Sequence, residues 1–290
     1  MSSRDEPIVQ LGLPKGRMQK EILDLLSEAG IRVTGIERGY RPKVSLPGFQ
    51  AKILKPQNIV EMLHLGSRDL GFAGADWVRE LEADVVELLD TGLDPVRIVA
   101  AAPESLLENG QLPRKPLVVA SEYRKLTEQW IREQGLQATF VRSYGATEVF
   151  PPEDADCIVD NTATGSTLAA NHLAIVGELM QSSTRLFAHP KTLEDPARRD
   201  AIERLVLVLR AVLEARQRVM VEVNVGEENL EQVISVLPCM REPTVARLHG
   251  DAGYAVRAAV PRIDLPRIIP EIKARGGTDV VVSDLSHIVP

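Results

Sequence analysis

Residues 156–168 read DCIVDNTATGSTL. Three apolar residues, Cys157, Ile158 and Val159, end on the acid Asp160, and a run of small hydroxyl residues with one glycine follows. STLAANHL then opens a helical pattern. A short apolar run bounded by turn residues and followed by a helix is the pattern of a buried strand feeding a βα turn. The fold class follows from how often that unit recurs on either side.

Upstream it recurs repeatedly. IVQLGL (8–13) reads as a strand, and a helix follows with Ile22, Leu23, Leu25, Leu26 and Ala29 on one face and Gly30 as its C-cap. AKILKP and DLGFAGADWV are further strand-and-turn pieces around a helix near Asn58–Leu65. PVRIVAAAP and PLVVAS read as buried parallel strands, with a helix from about Leu126 to Gln134 after the second. ATFVRSYG and DCIVDN continue the alternation. Strands alternating with helices indicate an α/β fold with a mainly parallel sheet.

Near Thr192 the pattern changes. Asp195 followed by Pro196 starts a helix, and Ile202, Leu205, Leu209, Val212 and Leu213 keep helical spacing to about Arg218. Beyond it, VMVEVNV is a strand and EENLEQVISVL a helix. PTVARLH and YAVRAAV are strands around the turn GDAG, RIDLPRIIPEIKARG is a helix started by Asp264, and DVVVSD is a last strand. The order β-α-β-β-α-β is that of the ferredoxin-like split βαβ unit, roughly 75 residues long and suited to a small self-contained regulatory module.

Composition narrows the function. The 290 residues are enough for two or three domains. With 44% hydrophobic but only 4% aromatic residues, the cores are expected to be aliphatic. A net charge of −7 argues against a nucleic-acid coat, so any polyanion must meet locally concentrated positive charge. Cys157 and Cys239 form no metal or redox motif and read as reduced, inert thiols. The five histidines lack the spacing of a zinc site. The start carries no signal-peptide core, and no apolar run reaches membrane-spanning length, so a soluble, cytoplasmic protein without membrane partners is expected.

The turn after Cys157–Asp160 carries the first candidate site. A helix N-terminus presents unpaired N–H groups and a positive dipole end to phosphate. Gly165 permits a tight turn, and Thr164, Ser166 and Thr167 add hydroxyl donors. Asp160 would repel phosphate; it suits the 2′ and 3′ hydroxyls of a ribose or an indirect contact with Mg²⁺. The plainer alternative is a capped βα turn with Ser166 as N-cap. LPKGRM places Lys15 and Arg17 beside Gly16 at the end of the first strand, cations fit for a nucleotide phosphate or pyrophosphate. GFAGADW suggests Gly71 and Gly74 in tight turns where the backbone approaches an adenine or ribose. Asp76 either contacts the nucleotide or caps the next helix, and Trp77 reads as packing rather than base stacking.

VDNTATGSTL resembles the phosphoribosyl-pyrophosphate loop of phosphoribosyltransferases, in which a strand ends in acids and continues as T-G-x-T. The longer run GATEVFPPEDADCIVDNTATGSTLAANHLAIVGELMQSSTRL resembles the signature region of the ATP phosphoribosyltransferase family. LPKGRM, KPQNIVEMLHLGSRDLGFAGADWV and LPCMREPTVARL follow the same family in order, and the C-terminal module is similar to that of its long form. The chain departs from the family pattern at Glu153, where glycine is usual, at Lys55 for arginine and at Val60 for proline; lysine keeps the charge but loses the planar fork.

The resemblance implies a two-lobed core like type II periplasmic binding proteins, with a C-terminal ferredoxin-like, ACT-like regulatory domain. Lobe I would hold residues 1–95 and 185–217, lobe II residues 96–184, and the regulatory domain residues 218–290. It implies condensation of adenine N1 of ATP with 5-phosphoribosyl 1-pyrophosphate, giving phosphoribosyl-ATP and pyrophosphate, the first step of histidine biosynthesis. N1 already carries a lone pair, so catalysis rests on positioning two polyanions and neutralising the leaving group. Asp160, Lys15 and Arg17 would be catalytic. Asp160, Asn161, Thr162, Ala163, Thr164, Gly165, Ser166 and Thr167 would bind phosphoribosyl pyrophosphate, and Lys15, Gly16, Arg17, Lys55, Gly74 and Asp76 would bind ATP. Mg²⁺ would sit on substrate phosphates and water, with no firm protein ligand. A dimer, a hexamer favoured by inhibitor, and feedback inhibition by L-histidine at Asn224 and Thr244 are also implied. A purine or orotate phosphoribosyltransferase, or a non-catalytic small-molecule sensor with a binding-protein-like cleft, are the alternatives at this point.

Overall fold

The computed structural model describes residues 8–289; the first seven residues, on which part of the reading of the chain start falls, lie outside them. Two compact units result. One contains the chain up to Ser27 together with Ile31–Glu203, the other Glu28–Gly30 with the chain from Arg204 onward. The division falls inside the long helix, where the sequence reading put the boundary at its end.

In the first unit the strand β1 (Val9–Pro14) leads into helix α1 (Arg17–Glu28). The small hairpin β2 (Val33–Thr34) and β3 (Lys43–Val44) precedes β4 (Phe49–Leu54) and α2 (Pro56–His64). Then come β5 (Leu70–Gly74), α3 (Ala75–Leu81) and the 18-residue strand β6 (Val86–Pro103). The chain continues through β7 (Leu117–Ser121), α4 (Arg124–Glu133), β8 (Ala138–Arg142), β9 (Cys157–Thr162) and α5 (Ser166–Ala170). It returns along β10 (Leu173–Ala188) into α6 (Pro196–Gln217).

These strands make one eight-stranded sheet in the order β4-β1-β5-β10-β6-β9-β7-β8. Its two ends are parallel, β4-β1-β5 on one side and β9-β7-β8 on the other, as the alternation of strands and helices requires. The middle corrects the sequence reading. PVRIVAAAP lies in β6, which is antiparallel to both its neighbours, β10 and β9. An apolar run buried on both faces looks the same in either orientation, so the pattern could not report it. β6 and β10 are the two strands that carry the chain out of one half-sheet and back into it, which gives the core its two lobes.

Packing explains the local choices. Gly71 lies inside β5, not in a turn; a Cβ there would stand 2.5 Å from Ile59 Cγ2, so α2 can pack this close only over glycine. Ile59, Val60 and Leu63 of α2 join Ala73, Trp77, Ile98, Ala100, Val119, Tyr123 and Trp130 in one buried cluster reaching into both half-sheets. Cys157 is fully buried, and burial pushes its thiol up to about 12, consistent with an inert side chain.

The second unit completes β11 (Arg218–Val225), α7 (Leu230–Ile234), β12 (Thr244–Arg247), β13 (Tyr254–Pro261), α8 (Leu265–Ala274) and β14 (Thr278–Asp284). Its sheet order, β12-β13-β11-β14, is that of the ferredoxin-like unit. Val219, Val221, Val223 and Val225 alternate inward beneath Val233, Ile268 and Ile272 of the two helices. α7 is shorter than EENLEQVISVL suggested: residues 227–229 form a 3₁₀ turn and the α-helix stops at Ile234. Pro238 disfavours helical backbone at Leu237, yet Val236 and Leu237 still bury their side chains.

Candidate active site

The two half-sheets run in opposite directions, and their carboxyl ends meet on the crossing strands. Gly74, at the end of β5, pairs with Thr184 of β10, while Thr162, at the end of β9, pairs with Arg97 of β6. Arg97 in turn pairs with Gln181, three residues from Thr184. Strand ends in open α/β sheets are where ligands bind, because the loops and helix starts there carry unpaired backbone donors. The Asp160–Thr167 loop and Gly74 lie at or just beyond these ends, whereas Gly71 lies inside β5.

The loop after β9 holds itself open by local bonds. Gly165 takes the left-handed conformation (φ +81°) and donates its N–H to Thr162 Oγ1 at 2.9 Å. The Thr164 hydroxyl donates to Ser166 Oγ at 2.9 Å and accepts the Ser166 N–H at 3.3 Å. Gly165, not Ser166, is therefore the N-cap of α5, which corrects the capping alternative. Ala163, Thr164, Ser166 and Thr167 are exposed while Thr162 and Leu168 are buried, so the loop's donors face outward from a fixed base. α5 is only five residues long, so the hydroxyls and loop N–H groups matter more here than a macrodipole.

Asp160 is half-buried at the root of this loop. Its Oδ1 accepts the Asn161 backbone N–H at 2.7 Å and the Asn161 amide N–H at 3.1 Å. Burial raises its carboxyl from 3.8 to about 6; the Asn161 N–H opposes that, the charges of Glu148 and Glu122 add to it, and the Thr147 hydroxyl opposes it again. The group therefore becomes a carboxylate only as the pH rises above about 6.

A chain of polar contacts runs from this loop into the other half-sheet. Arg17 donates through Nη1 to Asn161 Oδ1 at 3.3 Å. Asn161 donates to the Tyr123 hydroxyl at 3.3 Å, and Tyr123 donates to Asp76 Oδ2 at 2.8 Å. Ser182 donates to Asp76 Oδ1 at 2.6 Å and accepts the Asp76 backbone N–H at 3.1 Å. Burial, then the charge of Asp76 and its hold on the hydroxyl, raise Tyr123 well above its usual value, so it stays a donor. Asp76 is only 3% exposed and makes no helix-capping bond, which corrects that alternative; its carboxylate instead ties Tyr123 to Ser182 at the end of β5. Gly74 has extended backbone rather than a left-handed turn, and a Cβ there would meet Asp76 Oδ1 at 2.1 Å. Trp77 is buried and stacks on Tyr123 with centroids 4.6 Å apart, as the packing reading requires.

The remaining cations line the first lobe's strand ends. Pro14 of β1 pairs with Leu54 of β4, and Lys15 and Lys55 are the first residues beyond these two paired strand ends. Both are exposed, and Lys15 bonds the Tyr40 hydroxyl at 3.2 Å. Gly16 turns in the left-handed region (φ +89°) to start α1. Among the described residues no cluster of three or more His, Cys, Asp or Glu side chains could hold a metal. Asp160 offers the oxygen chemistry that Mg²⁺ prefers, and the other ligands would have to be phosphate oxygens and water.

The sequence missed Tyr123, Ser182, Asp94 and Glu80. Glu80, 4% exposed, accepts the Lys125 and Leu126 N–H groups at 3.1 Å each and so caps α4 from a different helix. No local signal announces such a cap. In the second unit, Asn224 bonds Asp279 at 3.1 Å and lies in register with Ala255 and Thr278. Thr244 opens β12, exposed, in register with Arg257. The valines of β11 face α7 and α8, so Asn224 and, by register through Arg257 and Glu222, Thr244 share the sheet's other face.

A two-lobed α/β core with an exposed, hydroxyl-rich loop where its strand ends converge, followed by a ferredoxin-like module, is the build of a long-form phosphoribosyl-transferring enzyme. The family model described as "HisG: ATP phosphoribosyltransferase" matches residues 55–211, and "HisG, C-terminal domain" matches residues 215–287. The chain belongs to the ATP phosphoribosyltransferase family, whose place is the first step of histidine biosynthesis. It is 34% identical over 287 residues to the ATP phosphoribosyltransferase of Chlorobium luteolum, covering 97% of this chain and 98% of that one. The Pelotomaculum thermopropionicum enzyme of the same name is 33% identical, covering 97% and 99%. The fold is shared with a chain of the ATP phosphoribosyl transferase (HisG:HisZ) complex of Thermotoga maritima, with a TM-score of 0.64, 22% identity, and coverage of 71% of this chain and 99% of that one. Membership of this family removes the sensor and the purine or orotate alternatives. Among the described residues no helix is long and apolar enough to cross a membrane.

Proposed function

We propose that this chain joins adenine N1 of ATP to the anomeric carbon of 5-phosphoribosyl 1-pyrophosphate, releasing pyrophosphate and forming phosphoribosyl-ATP. The N1 lone pair forms the new C–N bond as the anomeric C–O bond breaks, and the bonding pair leaves with pyrophosphate. The observation that carries the reading is the convergence of the Asp160–Thr167 loop with Arg17, joined through Asn161. The loop N–H groups and the Thr164, Ser166 and Thr167 hydroxyls take the 5′-phosphate, and Asp160 takes the ribose hydroxyls. Lys15, Gly16 and Arg17 face the phosphates, with Lys55 just beyond the neighbouring strand end. Gly74 and the braced Asp76 form the adenine side. Positioning and charge neutralisation carry the rate, since the nucleophile needs no deprotonation.

Mg²⁺, bound to substrate phosphates and water near Asp160, would neutralise charge on the leaving group. The second unit would sense L-histidine at Asn224 and Thr244, between neighbouring copies of a homo-oligomer that is dimeric or hexameric, in the cytoplasm. The support is the matched C-terminal domain and the shared open face of these two residues. The test is pyrophosphate release with Mg²⁺ and each substrate alone or together. Release is expected only from the pair; hydrolysis of ATP alone at a comparable rate would sink the reading.

A further inference from the structure

β6 breaks its register with β10 beside the candidate site. Leu93 pairs with Thr184 and Val96 with Ser182, so Asp94 and Pro95 together stand opposite Ser183 alone. A bulge of this kind re-aims a side chain, and proline is tolerated there because no ladder N–H is required. Asp94 adopts φ +49°, left-handed backbone in which glycine is unstrained and an L-residue is not. The turn alone does not call for a carboxylate. What the aspartate adds is its contact: Arg17 Nε lies 2.8 Å from Oδ1 and 3.1 Å from Oδ2.

The pair is lopsided in a way ordinary surface pairs are not. The Arg17 side chain is 54% exposed, whereas that of Asp94 is 12% exposed. Burial raises the Asp94 carboxyl, Arg17 opposes that by its charge and hydrogen bond, and Glu21 and Asp76 push it further up. Surroundings that disfavour a carboxylate have one, aimed at the cation that also reaches Asn161 of the loop. Arginine has five donors in a fixed plane. Asp94 occupies Nε and Asn161 one proton of Nη1, which leaves the second Nη1 proton and both on Nη2.

We propose that Asp94 is a positioning residue that holds the Arg17 guanidinium edge-on, so that its free Nη protons meet the phosphates of phosphoribosyl pyrophosphate at the loop. Without Asp94 the long, exposed arginine samples many rotamers, and the substrate must order it on binding. This inference rests on the reaction proposed above, and it moves Arg17, which the family resemblance assigned to ATP, to the phosphoribosyl pyrophosphate side through its contact with Asn161.

The experiment is a double-variant cycle on the full-length chain with Asp94→Ala, Asp94→Asn, Arg17→Gln and Arg17→Gln/Asp94→Ala, measuring kcat and KM for each substrate. Asp94→Ala should raise KM for phosphoribosyl pyrophosphate by about tenfold and leave KM for ATP within about twofold. Asp94→Asn should recover most of that loss, because its amide oxygen still accepts from Nε. In the Arg17→Gln background, removing Asp94 should add less than about twofold. Asp94→Gly relieves the backbone and replaces the alanine variant if that one fails to fold. Equal losses in both backgrounds, equal shifts in the two KM values, or no recovery with asparagine would overturn the positioning role. If the unmodified chain releases no pyrophosphate from the substrate pair, the functional reading falls and this inference with it. If it turns over normally but the cycle is additive, only the inference falls.

Discussion

Asp160→Asn separates what the site does for the ligand from what it does for the fold. The wild-type carboxyl is raised from 3.8 to about 6 chiefly by burial, so the folded state holds its proton more tightly than the unfolded chain does. Below pH about 4 it is protonated in both states and costs nothing. As pH rises from about 4 to about 6 the unfolded chain ionises first and stability is lost; above about 6 the loss is complete. A carboxyl moved that far costs the folded state on the order of 3 kcal/mol at pH 8. Asparagine keeps an acceptor for the two Asn161 donors and carries no charge. Urea denaturation of the first unit should therefore show Asp160→Asn more stable than wild type by about 3 kcal/mol at pH 8, a midpoint shift of roughly 1–2 M. At pH 4 the advantage should shrink towards zero. Turnover should fall at every pH, since the amide cannot replace the carboxylate towards ribose hydroxyls or metal-bound water. An unchanged midpoint at pH 8, or an equal gain at both pH values, would refute burial as the cause of the shift.

Other perturbations test neighbouring parts of the argument. Gly71→Ala should destabilise the first unit by about 1–3 kcal/mol, because its Cβ would stand 2.5 Å from Ile59 Cγ2; in an Ile59→Ala background, which lacks both γ carbons, the same change should cost less in the same denaturation assay. Tyr123→Phe removes the donor to Asp76 Oδ2 and the acceptor for Asn161, at a cost of about 1–3 kcal/mol by denaturation, with a raised KM for phosphoribosyl pyrophosphate. Thr164→Val and Thr167→Val should each lose roughly 1–3 kcal/mol of transition-state stabilisation in kcat/KM. Only the first should also loosen the loop to hydrogen exchange, since only Thr164 ties down Ser166. Asn224→Ala/Thr244→Val should raise the histidine concentration for half-inhibition by about tenfold or more with uninhibited turnover unchanged; unaltered inhibition places the effector elsewhere.

Local chemistry was legible in the chain itself. The βα turn at Asp160–Thr167, the cations of LPKGRM and the split βαβ order of the tail each depend on residues close in sequence, where periodicity and turn chemistry act directly. The family resemblance rests on the same contiguous segments. The glycines of GFAGADW were harder, because a glycine needed for a turn and one needed for helix packing look alike until Ile59 is seen above Gly71. Residues 17, 76, 94, 123, 161 and 182 form one contact chain, yet nothing in their spacing links them. They meet because β6 and β10 run antiparallel through the middle of the sheet and bring the carboxyl ends of two oppositely directed half-sheets together. An apolar strand buried on both faces carries no record of its neighbours' direction. The sequence by itself determined most of the elements and the hydroxyl-rich βα turn, and the non-local strand pairing decided which side chains share the candidate site.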